Sequence, residues 1–343
     1  MGPALSCTPP GRCALQPVTN AGRFAWALAG LLLAGLVASL LAGPAALPAG
    51  AVLHGLLGGS DGATRTVVWE LRVPRALLAA VLGAGLGAAG ASLQALFRNP
   101  LADPGLLGVS SCSALGAVLA FYSGLGGQYA MALPLGGLTG ALLGTLALLQ
   151  LARRRDTLAL VLGGVALGAL ASALTSLFLS LLPNPYAAYD IVFWLMGSLV
   201  DRSWDEALLS VPLMGLGLVL LLSRARWLGP LALGEDVAAS LGVDLRRLRL
   251  ALVLGTALCV GPGVAVAGYV GFVGLIVPHC LRPFVGHEPA RLVPLAALAG
   301  SALTVLADVA CRLPAGGELR LGVVTALLGA PFLLVLLRRA GST

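Results

Sequence analysis

The sequence predicts an all-α polytopic membrane protein with ten transmembrane helices. Hydrophobic residues make up 58% of its 343 residues and charged residues only 10%, whereas a soluble domain carries about 25% charged residues. The apolar residues fall in runs of about 20, the length that an α-helix needs to cross a bilayer. This composition excludes an ordinary soluble enzyme and a disordered or nucleic-acid-binding protein, because both classes need far more charge.

Ten apolar runs are predicted to span the membrane. The eighth run is short and is separated from the seventh at Gly268, and a further apolar piece at 191–199 is too short to cross. The spans form a single domain at 23–339, preceded by a flexible cytoplasmic tail at 1–22 that is rich in Pro, Gly and Cys. The predicted spans lie at 24–43, 76–97, 106–125, 131–152, 158–182, 204–223, 248–268, 270–285, 292–312 and 320–338.

The distribution of arginine orients the chain, since all 21 basic residues are arginine. If the N-terminus is cytoplasmic, fifteen arginines lie in cytoplasmic segments or span ends and six lie outside. Cytoplasmic loops are enriched in basic residues, so both termini are predicted inside. The net charge of +7 then reflects loops that face anionic lipid rather than a nucleic acid. The outer arginines are Arg65, Arg72, Arg75, Arg202, Arg312 and Arg320.

The sequence contains no lysine, which excludes two kinds of chemistry. A Walker A phosphate loop needs a lysine that reaches the β- and γ-phosphates, and a Schiff base with pyridoxal phosphate also needs one. If ATP drives this protein, another chain must hydrolyse it. The six cysteines form no C-x-x-C pair, which indicates small apolar side chains rather than a metal site or a disulfide framework.

Three of the outer arginines are candidates for a partner contact. Arg72 and Arg75 open the second span, where two cations oppose the helix dipole, and Arg312 ends the ninth span on the same side. One interpretation is snorkelling at the membrane interface, together with a local pair between Asp308 and Arg312. The other is a docking site for an acidic partner on the outer face. Both interpretations remain open from the residues alone.

The longest cytoplasmic interval, at about 224–247, contains a predicted short helix outside the membrane. Two adjacent acids at 235–236 suit the start of a helix, Val237 and Leu241 share one face, and Gly242 is a suitable cap. This helix is either an ordinary interfacial helix or a contact for a partner protein, since a small apolar face lies beside the acids.

Glycines recur at four-residue spacing in three spans. Small residues at this spacing let the backbones of neighbouring helices approach closely in lipid. The pattern predicts a compact bundle with close contacts at Gly83 and Gly87, at Gly136, Gly140 and Gly144, and at Gly164 and Gly168.

The outer arginines, the cytoplasmic loop and several further stretches of the sequence together resemble the permease subunits of ATP-binding-cassette importers for iron–siderophore complexes, haem and cobalamin. The similar stretches follow the order of that family over most of the chain, from about 65 to 338. They lie at 71–75, 94–104, 107–111, 164–168, 233–235, 240–243, 271–279, 307–308 and 322–331.

The resemblance implies a ten-helix permease with no catalytic site, metal or cofactor of its own. The partners it implies are a second copy or a paralogous permease, two cytoplasmic ATPase subunits that use ATP–Mg, and one extracytoplasmic binding protein. It places the complex in the bacterial inner membrane. Transport would proceed by alternating access at the interface between the two permease copies.

The resemblance also implies roles for individual residues. Arg72, Arg75 and Arg312 would contact glutamates of the binding protein. Thr157 would belong to a cytoplasmic gate, although its neighbours at 155–156 depart from the family pattern. The 224–247 loop would seat in the ATPase through Leu233, Gly234, Glu235, Asp236, Val237, Leu241 and Gly242.

A proton-coupled secondary transporter is the alternative function. Such a protein needs inverted repeats and buried carboxylates near the middle of the membrane, and Asp308 is the clearest intramembrane acid. An intramembrane zinc protease needs an H-E-x-x-H motif, which the sequence lacks. The sequence therefore favours an importer permease for an iron chelate or a related large metal complex.

Overall fold

The computed structural model describes residues 21–340 except 60–61, 126–128, 130, 153–156, 183, 286–287 and 315–316. The described residues form helices, turns and loops, without a strand among them. The predicted tail at 1–22 lies outside the described residues up to residue 20, and its last two residues belong to the first helix, Ala21–Leu41. Its cytoplasmic position stays a prediction.

Fourteen α-helices are described, and ten of them coincide with the ten predicted spans. The first seven are α1 Ala21–Leu41, α2 Ala49–Leu56, α3 Gly62–Thr66, α4 Val73–Leu96, α5 Val109–Tyr122, α6 Ala132–Leu151 and α7 Thr157–Ser180. The second seven are α8 Pro185–Leu195, α9 Trp204–Arg224, α10 Glu235–Ser240, α11 Leu245–Ala267, α12 Val273–Val285, α13 Pro289–Cys311 and α14 Leu321–Ala340.

Seven of the described helices are long and apolar enough to cross a membrane. Three more apolar segments are shorter, at Val109–Tyr122, Val273–Val285 and Leu321–Leu336. The chain is therefore a multi-pass helical protein, while the count of ten spans and the cytoplasmic position of both termini stay predictions. The apolar piece at 191–199 lies partly in α8, which has only 11 residues.

Helix α4 lies at the centre of the bundle, in contact with α9, α11, α12 and α13. Most of its residues are buried. Its glycines make this position possible, since a methyl group at Gly83 or Gly87 would overlap the backbone carbonyl of Gly300 or Ala296 on α13. The predicted close approach of this glycine pair is confirmed.

The other two predicted glycine sets are confirmed in the same way. A methyl group at Gly140 would overlap the carbonyl of Cys112, and the two facing helices α5 and α6 pack along much of their length. A methyl group at Gly164 on α7 would overlap the carbonyl of Leu106. Small residues thus set the spacing between helices, as expected for packing in lipid.

A π-helical segment, Val67–Arg72, precedes α4 and was not predicted. In a π-helix an N–H bonds to a carbonyl five residues back, as Val73 does to Val68. Pro74 has no N–H, so the carbonyl of Trp69 lacks its partner within the helix. The indole of Trp204 donates to that carbonyl at 2.7 Å. This bond ties the start of α9 to the start of α4.

Gln94 joins the turn that follows α4 to helix α12. Pro278 cannot donate to the carbonyl of Gly274 four residues earlier, and Gln94 Nε2 donates to that carbonyl at 3.2 Å. The same nitrogen lies 3.3 Å from the carbonyl of Ala102, and Gln94 Oε1 accepts from Arg282 at 2.6 Å. One buried amide on α4 therefore satisfies groups from the following turn and from α12.

Candidate functional site

The structure brings the three predicted docking arginines together at one end of the bundle. We call Arg72, Arg75, Arg312, Asp308 and Glu318 the arginine cluster. Their backbones belong to the start of α4, the end of α13 and the loop before α14. These residues are distant in the sequence, and they meet because α4 and α13 pack against each other.

Arg75 binds two carboxylates in the cluster. Its Nε lies 3.1 Å from each oxygen of Asp308, and its Nη2 lies 2.9 Å from Asp308 Oδ1. The same Nη2 donates to Glu318 Oε2 at 2.7 Å. Arg75 is 8% exposed and Asp308 is 1% exposed, so this is a buried, charge-assisted network of the stronger kind.

Arg312 forms the local pair with Asp308 that its four-residue spacing predicts. Its Nη1 also donates to the carbonyls of Ser39 and Ala42, at 2.7 and 2.8 Å. Its Nη2 donates to Ser39 Oγ at 2.9 Å. The arginine thereby joins the end of α13 to the end of α1.

Arg72 caps the same end of α1. Its guanidinium donates to the carbonyls of Leu40, Leu41 and Ala45, at 2.7, 3.1 and 2.6 Å. The last carbonyls of a helix have no partner within the helix, and a cation is favourable there. Gly43 allows the approach, since a Cβ there would lie 3.0 Å from Arg72 Nη2.

The donors of these three arginines are thus mostly used within the chain. Snorkelling does not describe Arg72 and Arg75, because both are buried and bonded to protein groups. Docking of a partner at Arg72, Arg75 and Arg312 stays a prediction.

A cavity of about 300 Å³ adjoins the cluster. Sequence reasoning placed one further lining residue, Arg202, outside but gave it no role. Its Nη1 lies 3.5 Å from Glu206 Oε1, and burial lowers the pKa of Arg202 because removal from water disfavours the cation. We call this space the arginine cavity; it is lined by Ala42, Gly43, Pro44, Ala45, Val67, Leu71, Arg72, Arg75, Val200, Asp201, Arg202, Arg312 and Glu318.

At the other end of the bundle, Glu235 links the 224–247 loop to two helices. Its Oε1 accepts from Thr157 Oγ1, the first residue of α7, at 2.8 Å. Its Oε2 lies 2.5 Å from Arg249 Nη2 on α11. The hydrogen bond from Arg249 lowers the pKa of Glu235, while burial acts in the opposite sense. The predicted gate residue and the predicted coupling loop are therefore in direct contact.

The loop folds as a short 3₁₀ turn, Pro230–Leu233, followed by α10. The predicted cap at Gly242 is confirmed, since its φ is +85° and the N–H groups of 242 and 243 bond back to Ala239 and Ala238. Leu233, Val237 and Leu241 are 69%, 42% and 61% exposed. The loop therefore presents an apolar surface that no described part of the chain covers.

Comparison with known proteins identifies relatives over most of the chain. The model of the FecCD transport family matches residues 31–339. The vitamin B12 import system permease protein BtuC of Vibrio cholerae is 45% identical over 278 residues, covering 80% of this chain and 83% of that protein. The protein of the same name from Salmonella typhi is 42% identical over 276 residues, covering 80% and 84%.

Two solved structures share the fold. One, described as an inward-facing metal-chelate-type ABC transporter, has a TM-score of 0.83 and 32% identity, covering 93% of this chain and 99% of its own. The second, PsaBC from Streptococcus pneumoniae in complex with Fab, has a TM-score of 0.52 and 16% identity, covering 83% and 94%. The second likeness concerns the fold alone.

Proposed function

Since the chain belongs to the FecCD transport family, we propose that it is the permease of an ATP-binding-cassette importer for cobalamin or a related metal chelate. The observation that carries this proposal is the 45% identity, over 80% of the chain, to a permease named for vitamin B12 import. The solved metal-chelate-type transporter of similar fold supports the wider cargo class.

Transport by a reconstituted importer tests the cargo. The permease is assembled with its ATPase and binding protein in proteoliposomes, and ATP-dependent uptake of cobalamin, a ferric siderophore and haem is measured. We expect cobalamin uptake. Uptake of only the ferric siderophore or haem would change the proposed cargo from cobalamin to that iron complex. A lack of ATP-dependent uptake of all three would overturn the importer assignment.

Two permease copies are proposed to enclose the pathway and to open alternately to each side of an inner membrane. The support is a peripheral face of α7, which exposes apolar side chains such as Leu162 and Leu170 together with the hydroxyls of Ser172 and Ser176. The two hydroxyls donate within the chain, Ser172 to Ser111 Oγ at 3.4 Å and Ser176 to the Ser172 carbonyl at 3.1 Å, so the exposed leucines are the main support.

The 224–247 loop is proposed to receive the ATPase subunits that hydrolyse ATP–Mg. Its exposed leucines and Val237 offer an apolar surface for a partner. The contacts of Glu235 with Thr157 and Arg249 join that surface directly to α7 and α11. A shift of the loop is thereby transmitted to the helix proposed to line the pathway.

A proton-coupled transporter finds little support in the geometry. Asp308, the intramembrane acid that such a mechanism would use, is held by Arg75 and Arg312. Both oxygens of this carboxylate are engaged in ion pairs within the chain, which suits a structural role. We expect a protonophore to leave uptake unchanged. Loss of uptake on addition of the protonophore at constant ATP would favour a proton-coupled transporter.

A further inference from the structure

The segment 224–249, which ends α9 and begins α11, carries more arginines than its acids can neutralise. It contains five arginines and three acids. Arg249 is paired with Glu235 at 2.5 Å. Arg247 is paired with Asp244 at 3.0 Å, and Asp236 is exposed on α10. Three arginines therefore remain against one acid. Those without an ion pair to a described residue are Arg224, Arg226 and Arg246.

The described residues around this segment do not cancel its excess charge. Helix α13 packs against the 3₁₀ turn Ala225–Leu228 that follows α9. The acid at the start of α13, Glu288, is already paired with Arg291 at 2.8 Å. Arg98, in the turn after α4, adds a further positive charge close to Glu235. The positive charge is therefore left for a group from outside the chain.

A cavity of about 170 Å³ lies between the end of α9 and the start of α11. We call it the inner basic cavity; Arg224, Trp227, Arg247 and the loop residues 242–244 line it. Both arginines are exposed. Arg247 uses Nε for its ion pair with Asp244, and its two terminal nitrogens make no hydrogen bond to a described residue. The cavity thus offers guanidinium donors to an incoming acceptor.

The apolar surface of the two helices leads up to this cavity. Helix α9 exposes Leu216, Val219 and Leu222 before it ends at the arginines, and α9 packs beside α11. On α11 the exposed Leu250 lies one turn after Arg246 and on the same face. Tryptophan is enriched where a membrane protein meets the headgroups, and Trp227 stands at this junction. An apolar surface that ends in cations and an indole matches the chemistry of a lipid.

We propose that the inner basic cavity holds the phosphate of an anionic phospholipid, with an acyl chain along the exposed leucines of α9. Guanidinium groups form charge-assisted bonds to phosphate, and basic pockets at the cytoplasmic ends of membrane helices suit anionic headgroups. A soluble phosphate would use the arginines but not the apolar surface below them. Residues 242–244 join α10 to α11, so the bound lipid also braces the 224–247 loop.

Native mass spectrometry of the detergent-solubilised permease, alone and with its ATPase, tests this site. The probes are dioleoylphosphatidylglycerol and dioleoylphosphatidylcholine, which share acyl chains and a phosphate but differ in net charge. We expect tighter binding of the phosphatidylglycerol. Replacement of Arg224→Gln together with Arg247→Gln should weaken its binding by at least about tenfold, because each arginine near anionic lipid contributes about fivefold. Binding of the phosphatidylcholine should stay within about twofold.

The matched control removes the same charge elsewhere on the predicted cytoplasmic side. Arg291→Gln together with Arg338→Gln alters two exposed arginines that do not line the cavity. Binding of the phosphatidylglycerol should stay within about twofold of the unaltered permease. If the Arg224 and Arg247 double variant does not fold, the single exposed change Arg224→Gln should still weaken binding about fivefold.

Four results would overturn the lipid site. They are equal affinity of the unaltered permease for the two lipids, undiminished binding in the folded Arg224 and Arg247 variants, displacement of the lipid by inorganic phosphate, and its loss when the ATPase associates. Displacement by phosphate would assign the cavity to a soluble anion, and loss on assembly would assign it to the ATPase. The importer proposal is tested separately by uptake, so it stands or falls independently of these results.

Discussion

Asp308 is the residue on which the arginine cluster depends. It is 1% exposed and bonds to both Arg75 and Arg312. Replacement Asp308→Asn removes the negative charge that pairs with the buried guanidinium groups of Arg75 and Arg312. Removal of one member of a buried ion pair costs about 3–5 kcal/mol. We expect a clear fall in the unfolding temperature of the detergent-solubilised permease.

Asp190→Asn is the matched control for this prediction, because Asp190 is exposed on α8. It should leave the unfolding temperature nearly unchanged, as surface changes usually do. Equal unfolding temperatures for the two variants would show that the cluster contributes nothing to stability.

Gln94 allows a second prediction about a single side chain. Replacement Gln94→Leu keeps a similar bulk but removes the donor to the Gly274 carbonyl and the acceptor for Arg282. A buried polar group left without a partner costs about 1–3 kcal/mol. Thermal unfolding should detect this loss, while Gln150→Leu, an exposed change on α6, should be neutral. An unchanged unfolding temperature for Gln94→Leu would contradict the stabilising role of these hydrogen bonds.

The sequence identifies Arg72, Arg75 and Arg312 as unusual, but it cannot show what they bind. Their positions along the chain are sufficient to find them, since they lie on the side of the membrane that is predicted to be poor in arginine. Their partners include backbone carbonyls at 40–45 and the carboxylate of Glu318. Such contacts depend on how α1, α4 and α13 pack, which no local pattern encodes.

At the scale of helices, the loop contact at Glu235 is predicted to couple ATP hydrolysis to transport. Replacement Glu235→Ala removes the bonds to both Thr157 and Arg249. We expect ATP hydrolysis to continue with less cargo moved per ATP, because a shift of α10 no longer reaches α7. The ratio of uptake to hydrolysis in proteoliposomes measures this effect.

Two further variants and the effect of pH test the role of Glu235 in coupling. Arg249→Ala should share the defect, and Glu288→Ala, which alters an exposed acid outside the 224–247 loop, should not. Since the pKa of Glu235 is lowered, the folded state gains stability from the ionised form above the usual glutamate pKa. That gain is lost only as the pH falls through the lowered value. Full coupling in Glu235→Ala would refute the link.

Glycine contacts between helices give a further prediction. Replacement Gly87→Ala places a methyl group against the carbonyl of Ala296, and overpacking of this kind costs about 1–3 kcal/mol. Gly30→Ala on α1 is the control, since a Cβ there has no atom within 4 Å and alanine favours helix. The unfolding temperature should fall for the first and hold or rise for the second. The reverse order would contradict the packing.

The ten apolar helices were predictable because hydropathy is a property of long local runs. The short helices α2 and α3 were not, since they have only eight and five residues, and the π-helical segment was not, since it depends on a distant contact. The carbonyl left by Pro74 is satisfied by Trp204, 135 residues from its acceptor residue. Equally, the contact between Thr157 and Glu235 spans 78 residues.

For the whole molecule, the peripheral helices expose apolar side chains that no described residue covers. Helix α7 is largely exposed, and α8 and α14 expose further apolar side chains, including Tyr186 and Leu327. The end of α8 packs against Gly322 at the start of α14, whereas α7 packs against α5 and α6. In contrast, α4 is almost wholly enclosed. The exposed apolar surfaces of α7 and α14 suit the proposed interface between two copies.

Cysteine cross-linking tests that interface. In a background with the six native cysteines replaced, copies carrying Leu170→Cys on α7 and Leu327→Cys on α14 are co-expressed and oxidised in membranes. If α7 and α14 meet across a two-fold axis, the contact is the same on both copies, and a covalent dimer should appear on a non-reducing gel. Leu216→Cys and Val219→Cys, also exposed but on α9, should remain monomeric. Cross-linking through α9 instead would place the interface between the two copies at α9, and the proposed path of the cargo would lie there too.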